Sequence, residues 1–197
     1  AASSGLGDAG RLPVISALAA LLVLGASQAP EPVACAHDAP ASPPIVVDPA
    51  RLRSDISVLA ADSMEGRRAG TDGGRRARAF LVRRVRGLGL DTLPGGVERP
   101  FALRRGGEGA NLVFARRGTR HPERWLVVTA HYDHLGVQGG QVYNGADDNA
   151  SGVAALLATA EHLRKVSPRH SVLFALLDAE ESGLQGAAAL LDAPPVP

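Results

Sequence analysis

Apolar residues recur along this chain at helical spacing in some stretches and as unbroken β-prone runs in others, and the two patterns alternate. Behind Asp48-Pro49, Leu52, Ile56 and Leu59 carry the helical spacing; the aspartate suits the cap and the proline the first turn. A glycine-rich stretch from Ser63 to Gly74 reads as a loop. Ala77, Phe80, Leu81, Val85 and Leu88 then trace one face of a second helix, and Arg75, Arg76, Arg78, Arg83 and Arg86 occupy the other. An arginine stripe of that kind is expected as a solvated helix face rather than as a polyanion site. Phe101 to Leu103 and Asn111 to Ala115 read as short strands, and Trp125 to Ala130 is a continuous run expected of a strand buried on both faces. Helical spacing returns from Ser151 to Val166, a second buried strand follows at Ser171 to Leu177, and a last helix at Gly183 to Leu191. Strand, helix, strand over this span is a crossover unit, which predicts an α/β fold.

Upstream of this region, the stretch from Leu12 to Ala26 is apolar apart from Ser16 and follows Arg11. At about 15 residues it is short for a membrane span, which needs roughly 20. A positive residue, a short apolar stretch and then small residues form the layout of a secretory signal. Residues 1–36 are therefore expected to be signal-peptide-like, residues 37–44 a linker, and residues 45–197 a partial catalytic domain of a secreted, periplasmic or cell-envelope protein with no transmembrane span once mature. Cys35 faintly matches a lipid-attachment box, but Pro32 stands where that pattern wants leucine, so a lipid anchor is the lesser expectation. The absence of an initiator Met and the apolar, proline-rich end, Ala193 to Pro197, suggest that the domain continues beyond this stretch.

Composition narrows the chemistry. The 197 residues carry a formal net charge of +1, which argues against a dominant electrostatic partner such as nucleic acid. A single cysteine excludes an intrachain disulfide framework and a cysteine zinc cluster, so any metal site must come from His, Asp and Glu.

Three such clusters stand at the ends of the predicted elements. They are Ala130-His131-Tyr132-Asp133-His134 after the first buried strand, Gly145-Ala146-Asp147-Asp148-Asn149 at the mouth of the following helix, and Asp178-Ala179-Glu180-Glu181 after the second buried strand. Ligands of open α/β sheets bind beyond the carboxyl ends of the strands, so all three can converge on one crevice. Imidazole and carboxylates are donors for zinc and similar ions, and crowded carboxylates need cations to neutralise them. Two ions bridged by one carboxylate would meet that need and activate a shared water, with a further carboxylate as general base. The sequence has no Gly-x-Ser-x-Gly elbow, Walker A loop, His-Glu-x-x-His helix or dinucleotide glycine fingerprint.

In order and spacing, these clusters resemble those of the co-catalytic di-zinc aminopeptidases of the bacterial leucyl aminopeptidase kind, with glutamate carboxypeptidase II and glutaminyl cyclases as more distant relatives. The resemblance runs from about Ile45 to Ala193 and takes in Met64-Glu65-Gly66-Arg67 and Gly70-Thr71. It implies a three-layer sandwich with a central mixed, largely parallel sheet flanked by helices, truncated at the C-terminus. It further implies that His131 ligates one zinc, that Asp133 orients it, that Asp148 bridges both ions and that Glu181 ligates the second. Glu180 would be the general base, and the Asp148–Asn149 peptide would be cis. Cobalt or manganese would suit the same donors. The resemblance assigns no ligand role to His134, prefers Asp148 over Asp147, and leaves Asp178 as a strand end. Its pattern calls for a further aspartate and histidine downstream, which this stretch lacks, so residues 1–197 alone are expected to be inactive. The activity implied is removal of N-terminal residues from peptides. A zinc carboxypeptidase or deacylase of the related dimetal clan, or a non-catalytic ectodomain on the same fold, are the competing expectations.

Overall fold

The structure is a computed structural model and describes residues 47–197. The expected signal-like segment, linker and Cys35 lie outside the described residues.

Helix α1 (Pro49–Leu59) opens as the sequence predicts, with the Asp48 carboxylate accepting from the Ala50 and Arg51 amides at 2.9 and 3.3 Å. A short 3₁₀ segment (Asp62–Arg67) follows, and then α2 (Asp72–Leu88), capped by the Thr71 hydroxyl. Here α2 begins inside the stretch expected to be loop. Gly73 and Gly74 sit in its first turn because Cβ atoms there would meet the backbone of Met64 at 2.1 Å and Arg68 at 2.4 Å. Part of the arginine face of α2 is paired with surface acids, Arg75 with Asp72, Arg76 with Glu65 at 2.9 Å, and Arg78 with Glu98 and Glu108 at 3.8 and 3.5 Å, while Arg83 and Arg86 are exposed. Arg84 departs from that pattern. It reaches the buried Asp55 of α1 with two bonds of 2.8 and 2.7 Å and ties the two helices together.

The sheet comprises β1 (Glu98–Ala102), β2 (Glu108–Arg116), β3 (His121–His131) and β6 (His170–Leu177) in the order β1-β2-β6-β3. It is mixed, as expected, but its parallel character is confined to the β3–β6 pair; β1–β2 and β2–β6 are antiparallel. A small hairpin of β4 (Gly136–Gln138) and β5 (Gln141–Tyr143) lies between β3 and α3 (Gly152–Lys165), and α4 (Gln185–Asp192) closes the described chain. Alternate residues of the central strands feed two cores. Leu112, Phe114, Val172, Phe174 and Leu176 face α1, α2 and α3, with the rings of Phe114 and Phe174 stacked 5.1 Å apart. Val113, Ala115, Leu173 and Ala175 face the opposite way, against Leu190 of α4. The result is the three-layer α/β/α arrangement.

One expectation is corrected. The run Trp125 to Ala130 is not buried on both faces: Leu126 and Val127 are 59% and 49% exposed. Among the described residues β3 is the edge strand, so nothing pairs with its outer flank and its side chains are covered only where α3 and β6 reach them. None of the described helices is long and apolar enough to cross a membrane.

Candidate metal centre

The parallel pairing of β3 with β6 sets His131 beside Leu177, so both strands end at the same edge of the sheet. The chain leaving β3 supplies Tyr132, Asp133 and His134; the chain leaving β6 supplies Asp178, Glu180 and Glu181. Asp133, fully buried, joins the two. Its carboxylate accepts from the Glu180 amide at 2.9 Å and from the Glu181 amide at 3.2 Å. The paired glutamates are thus held at their backbone by a side chain of the neighbouring strand.

Asp178 secures the same corner from below. It is buried, accepts from the Ala110 and Ala179 amides at 3.0 and 2.9 Å, and its own amide donates to the Asn111 side chain at 3.0 Å. Burial and the charge of Asp133 push its pKa up, against the hydrogen bonds that favour the carboxylate. Its partners leave it turned into the strand ends, in the place expected of it.

The third segment arrives from the mouth of α3. Residues Ala146–Ser151 form a π-helical turn interrupted at Asp148 and Asn149, and the peptide between these two is cis. Gly145 enters it at a φ of 55°, where a Cβ would meet the Asp148 carbonyl at 2.3 Å and the His134 ring at 2.5 Å. The turn delivers Asp148 to the crevice. One of its carboxylate oxygens lies 3.1 Å from His131 Nε2, and the other lies 4.0 Å from His134 Nδ1. His134 in turn bonds the Glu181 carboxylate at 2.7 Å. His131, Asp148 and Glu181 therefore share one crevice with His134 between the last two, while Glu180 sits part-buried on the same turn as Glu181. Asp147 has no place in this set.

Two residues stand out that the sequence reading did not assign. His134 was set aside, yet it provides the imidazole in contact with Glu181. Its signal was its place directly after Asp133, in the same cluster at the end of β3. Arg67 is fully buried, and its guanidinium donates to four carbonyls: Leu59 and Asn144 at 2.6 Å, Tyr132 and Gly145 at 2.9 Å. Burial lowers its pKa, against the attraction of Asp133 and Asp148. It binds the loops behind the crevice together, and its only sequence signal was the Met64-to-Arg67 stretch. Gly66 beside it has a φ of 63° and no room for a Cβ, which would stand 2.5 Å from the Gly136 and Tyr143 carbonyls.

The donors present fit a divalent metal. One donor atom from each of His134, Asp148 and Glu181 lies within 4.8 Å of the others, whereas ligand atoms around a tetrahedral zinc are roughly 3.4 Å apart at the usual bond lengths. A modest inward movement of side chains closes that gap, and neutral imidazole with carboxylates is the donor chemistry zinc takes.

His131 carries a pH signature. The side chain of Asp133 is the largest influence, with its carboxylate 3.7 Å and its carbonyl 3.2 Å from Nδ1, and it raises the imidazole pKa to about 9 against the opposing effect of burial. In the unfolded chain the value is about 6.5. The group's stabilising contribution is complete below that lower value and is lost as pH rises through about 9. A metal taken up at His131 would have to displace that proton, so uptake there would strengthen as pH rises toward about 9. Ring resonances of His131 followed by NMR in the metal-free protein should show a midpoint near 9; an unshifted midpoint would mean that Asp133 does not hold the ring.

Known proteins resemble this chain over part of its length. Residues 111–196 match the profile of Peptidase family M28. Over 82 residues the chain is 40% identical to a probable zinc metalloprotease of Leptosphaeria maculans, a match that takes in 40% of this chain and 19% of that protein. A glutaminyl cyclase from Porphyromonas gingivalis has a TM-score of 0.64 at 19% identity over 77% of this chain and 57% of its own. BSAP, a zinc aminopeptidase from Bacillus subtilis, has a TM-score of 0.62 at 15% identity over 77% of this chain and 66% of its own. At these identities the solved structures speak for the fold. The matches reach 19% and 31% of the length of two curated relatives, so the chain spans a minor part of each. Over residues 111–196 the chain resembles Peptidase family M28, and its fold is like that of the zinc aminopeptidase and glutaminyl cyclase structures.

Proposed function

We propose that this chain supplies the first part of the active site of a zinc-dependent exopeptidase that removes N-terminal residues from peptides. The observation that carries the reading is the meeting of three separate segments in one crevice, with His131 Nε2 3.1 Å from Asp148 and Asp148 reaching toward the His134–Glu181 pair. His131 would hold one ion, Glu181 the second, and Asp148 both. When bound, the ions would polarise the scissile carbonyl and acidify a water. Glu180 would accept a proton from the attacking water and return it to the departing amine, a role that suits a part-buried carboxylate on the turn of Glu181. Asp133 positions the reaction from two sides, holding the His131 ring and the amides of both glutamates. His134 lies within the donor group, but here its ring is given to Glu181: by donating to one carboxylate oxygen it leaves the other to face a metal.

A catalytic zinc usually has three protein ligands. His131, Asp148 and Glu181 divided between two ions fall short of that, so residues 1–197 alone are expected to bind zinc weakly and turn over no peptide. The division into a signal-like segment (1–36), a linker (37–44) and a catalytic portion (45–197), and with it a secreted or cell-envelope location, belongs to the same proposal.

The test uses the full protein that contains this chain. Loaded with zinc, it is expected to release the N-terminal residue from unblocked peptides, to spare N-acylated ones, and to lose activity on chelation. Preferential cleavage of N-acylated substrates would move the assignment to the deacylase and carboxypeptidase branch.

A further inference from the structure

Beside the metal donors lies an open cleft of about 670 Å³. Its lining includes His134, Glu181 and Ser182 together with Arg68, Arg104 and Arg105. The ion pairs among the described residues involve Arg75, Arg76, Arg78, Arg84 and Arg124 but none of these three. Three unpaired guanidinium groups against one carboxylate, itself assigned to a metal, is a strong local excess in a chain whose net charge is +1.

Their placement is structured. The stem of Arg68 lies on Gly136, where a Cβ would stand 2.8 Å from its own Cβ. The Arg104 amide donates to the Gln185 side chain at 2.8 Å, which fixes the β1–β2 turn over the start of α4. The Arg104 guanidinium comes within 3.6 Å of where a Cβ would stand at Gly183, two residues after Glu181. Arg104 therefore lies over the turn that presents the paired glutamates, in the cleft that Glu181 also lines. Guanidinium groups bind carboxylates through forked hydrogen bonds, and an unpaired cluster next to a reacting centre selects for a substrate anion.

Resting on the exopeptidase reading above, we propose that Arg68, Arg104 and Arg105 make this a site for peptides with an acidic side chain next to the scissile bond. The carboxylate enters the cleft and takes the guanidinium donors that have no partner among the described residues, while the backbone carbonyl stays at the metal end. A C-terminal carboxylate offers the same chemistry, and the test separates the two sources.

In the zinc-loaded full protein, matched peptides differing as Glu against Gln beside the cleaved bond are compared, each with a free and an amidated C-terminus. The acidic side chain is expected to raise kcat/KM about tenfold or more, the scale of one charge-assisted contact. The advantage should shrink as salt shortens the screening length and should disappear in Arg104→Glu/Arg105→Glu. Both arginines are exposed, so the variant should keep the wild-type melting temperature. Equal rates for Glu and Gln, or a preference that follows only the C-terminal carboxylate, would overturn the acidic-side-chain proposal. A binding measurement keeps this independent of turnover: glutarate is expected to bind the wild type at least tenfold tighter than glutaramide, and the double variant no better than glutaramide. Arginine-dependent glutarate binding in a protein that cleaves none of the peptides would refute the exopeptidase reading and leave the anion site standing; indifference to the arginines would remove the site itself.

Discussion

Replacing Glu180 by glutamine is expected to lower kcat by roughly 10²–10⁴-fold while leaving the metal content and the fold unchanged. Glutamine preserves shape and a hydrogen-bonding carbonyl but cannot accept a proton from water. The Glu180 backbone amide is anchored on Asp133 at 2.9 Å, and glutamine keeps that amide, so the turn should hold. Glu181→Gln should behave differently: its side chain meets His134 at 2.7 Å and is assigned to a metal, so metal content should fall together with activity. Metal analysis and steady-state kinetics on both variants separate the roles. Near-normal kcat in Glu180→Gln, or zinc lost equally from both, would remove Glu180 as the base.

The second large effect belongs to Arg67 and to stability. Its guanidinium holds the end of α1 through Leu59, the chain leaving β3 through Tyr132, and the approach to Asp148 through Asn144 and Gly145. Arg67→Met keeps most of the volume but leaves the buried Leu59 and Tyr132 carbonyls, and the half-buried ones of Asn144 and Gly145, without their donor, and an abandoned buried network typically costs about 3–5 kcal/mol. Lysine should rescue little, because a single ammonium offers three donors from a point and cannot span a fork serving four acceptors. The desolvation that lowers the Arg67 pKa does not cancel its value, since Asp133 and Asp148 supply negative charge on the crevice side. Denaturant unfolding of Arg67→Met and Arg67→Lys measures this; a loss below about 1 kcal/mol would show that the loops hold without it.

What could be read from residue order alone was local. Asp48-Pro49 announced α1 because capping is settled within a few residues. The spacing of Ala77, Leu81, Val85 and Leu88 marked α2 because amphipathic periodicity is written directly into the chain. Its start was misplaced because Gly73 and Gly74, usually loop residues, are required there by close backbone approach from Met64 and Arg68, a contact no local pattern reveals. The three acidic and histidine clusters were legible as motifs, since each is contiguous.

Tertiary structure decided how those pieces meet. Whether Trp125 to Ala130 is covered depends on which strands flank it, and β3 lies at the edge of the described sheet. That His131 comes to 3.1 Å from Asp148 depends on the π-helical turn that brings Asp148 back from the mouth of α3. The roles of Arg67, His134 and the cleft arginines depend on partners 8 to 81 residues away in the chain. Capping and periodicity act over one or two turns and so leave their mark in the sequence. Burial, charge pairing and shared hydrogen bonds depend on distance in space, which is settled only when the chain closes on itself.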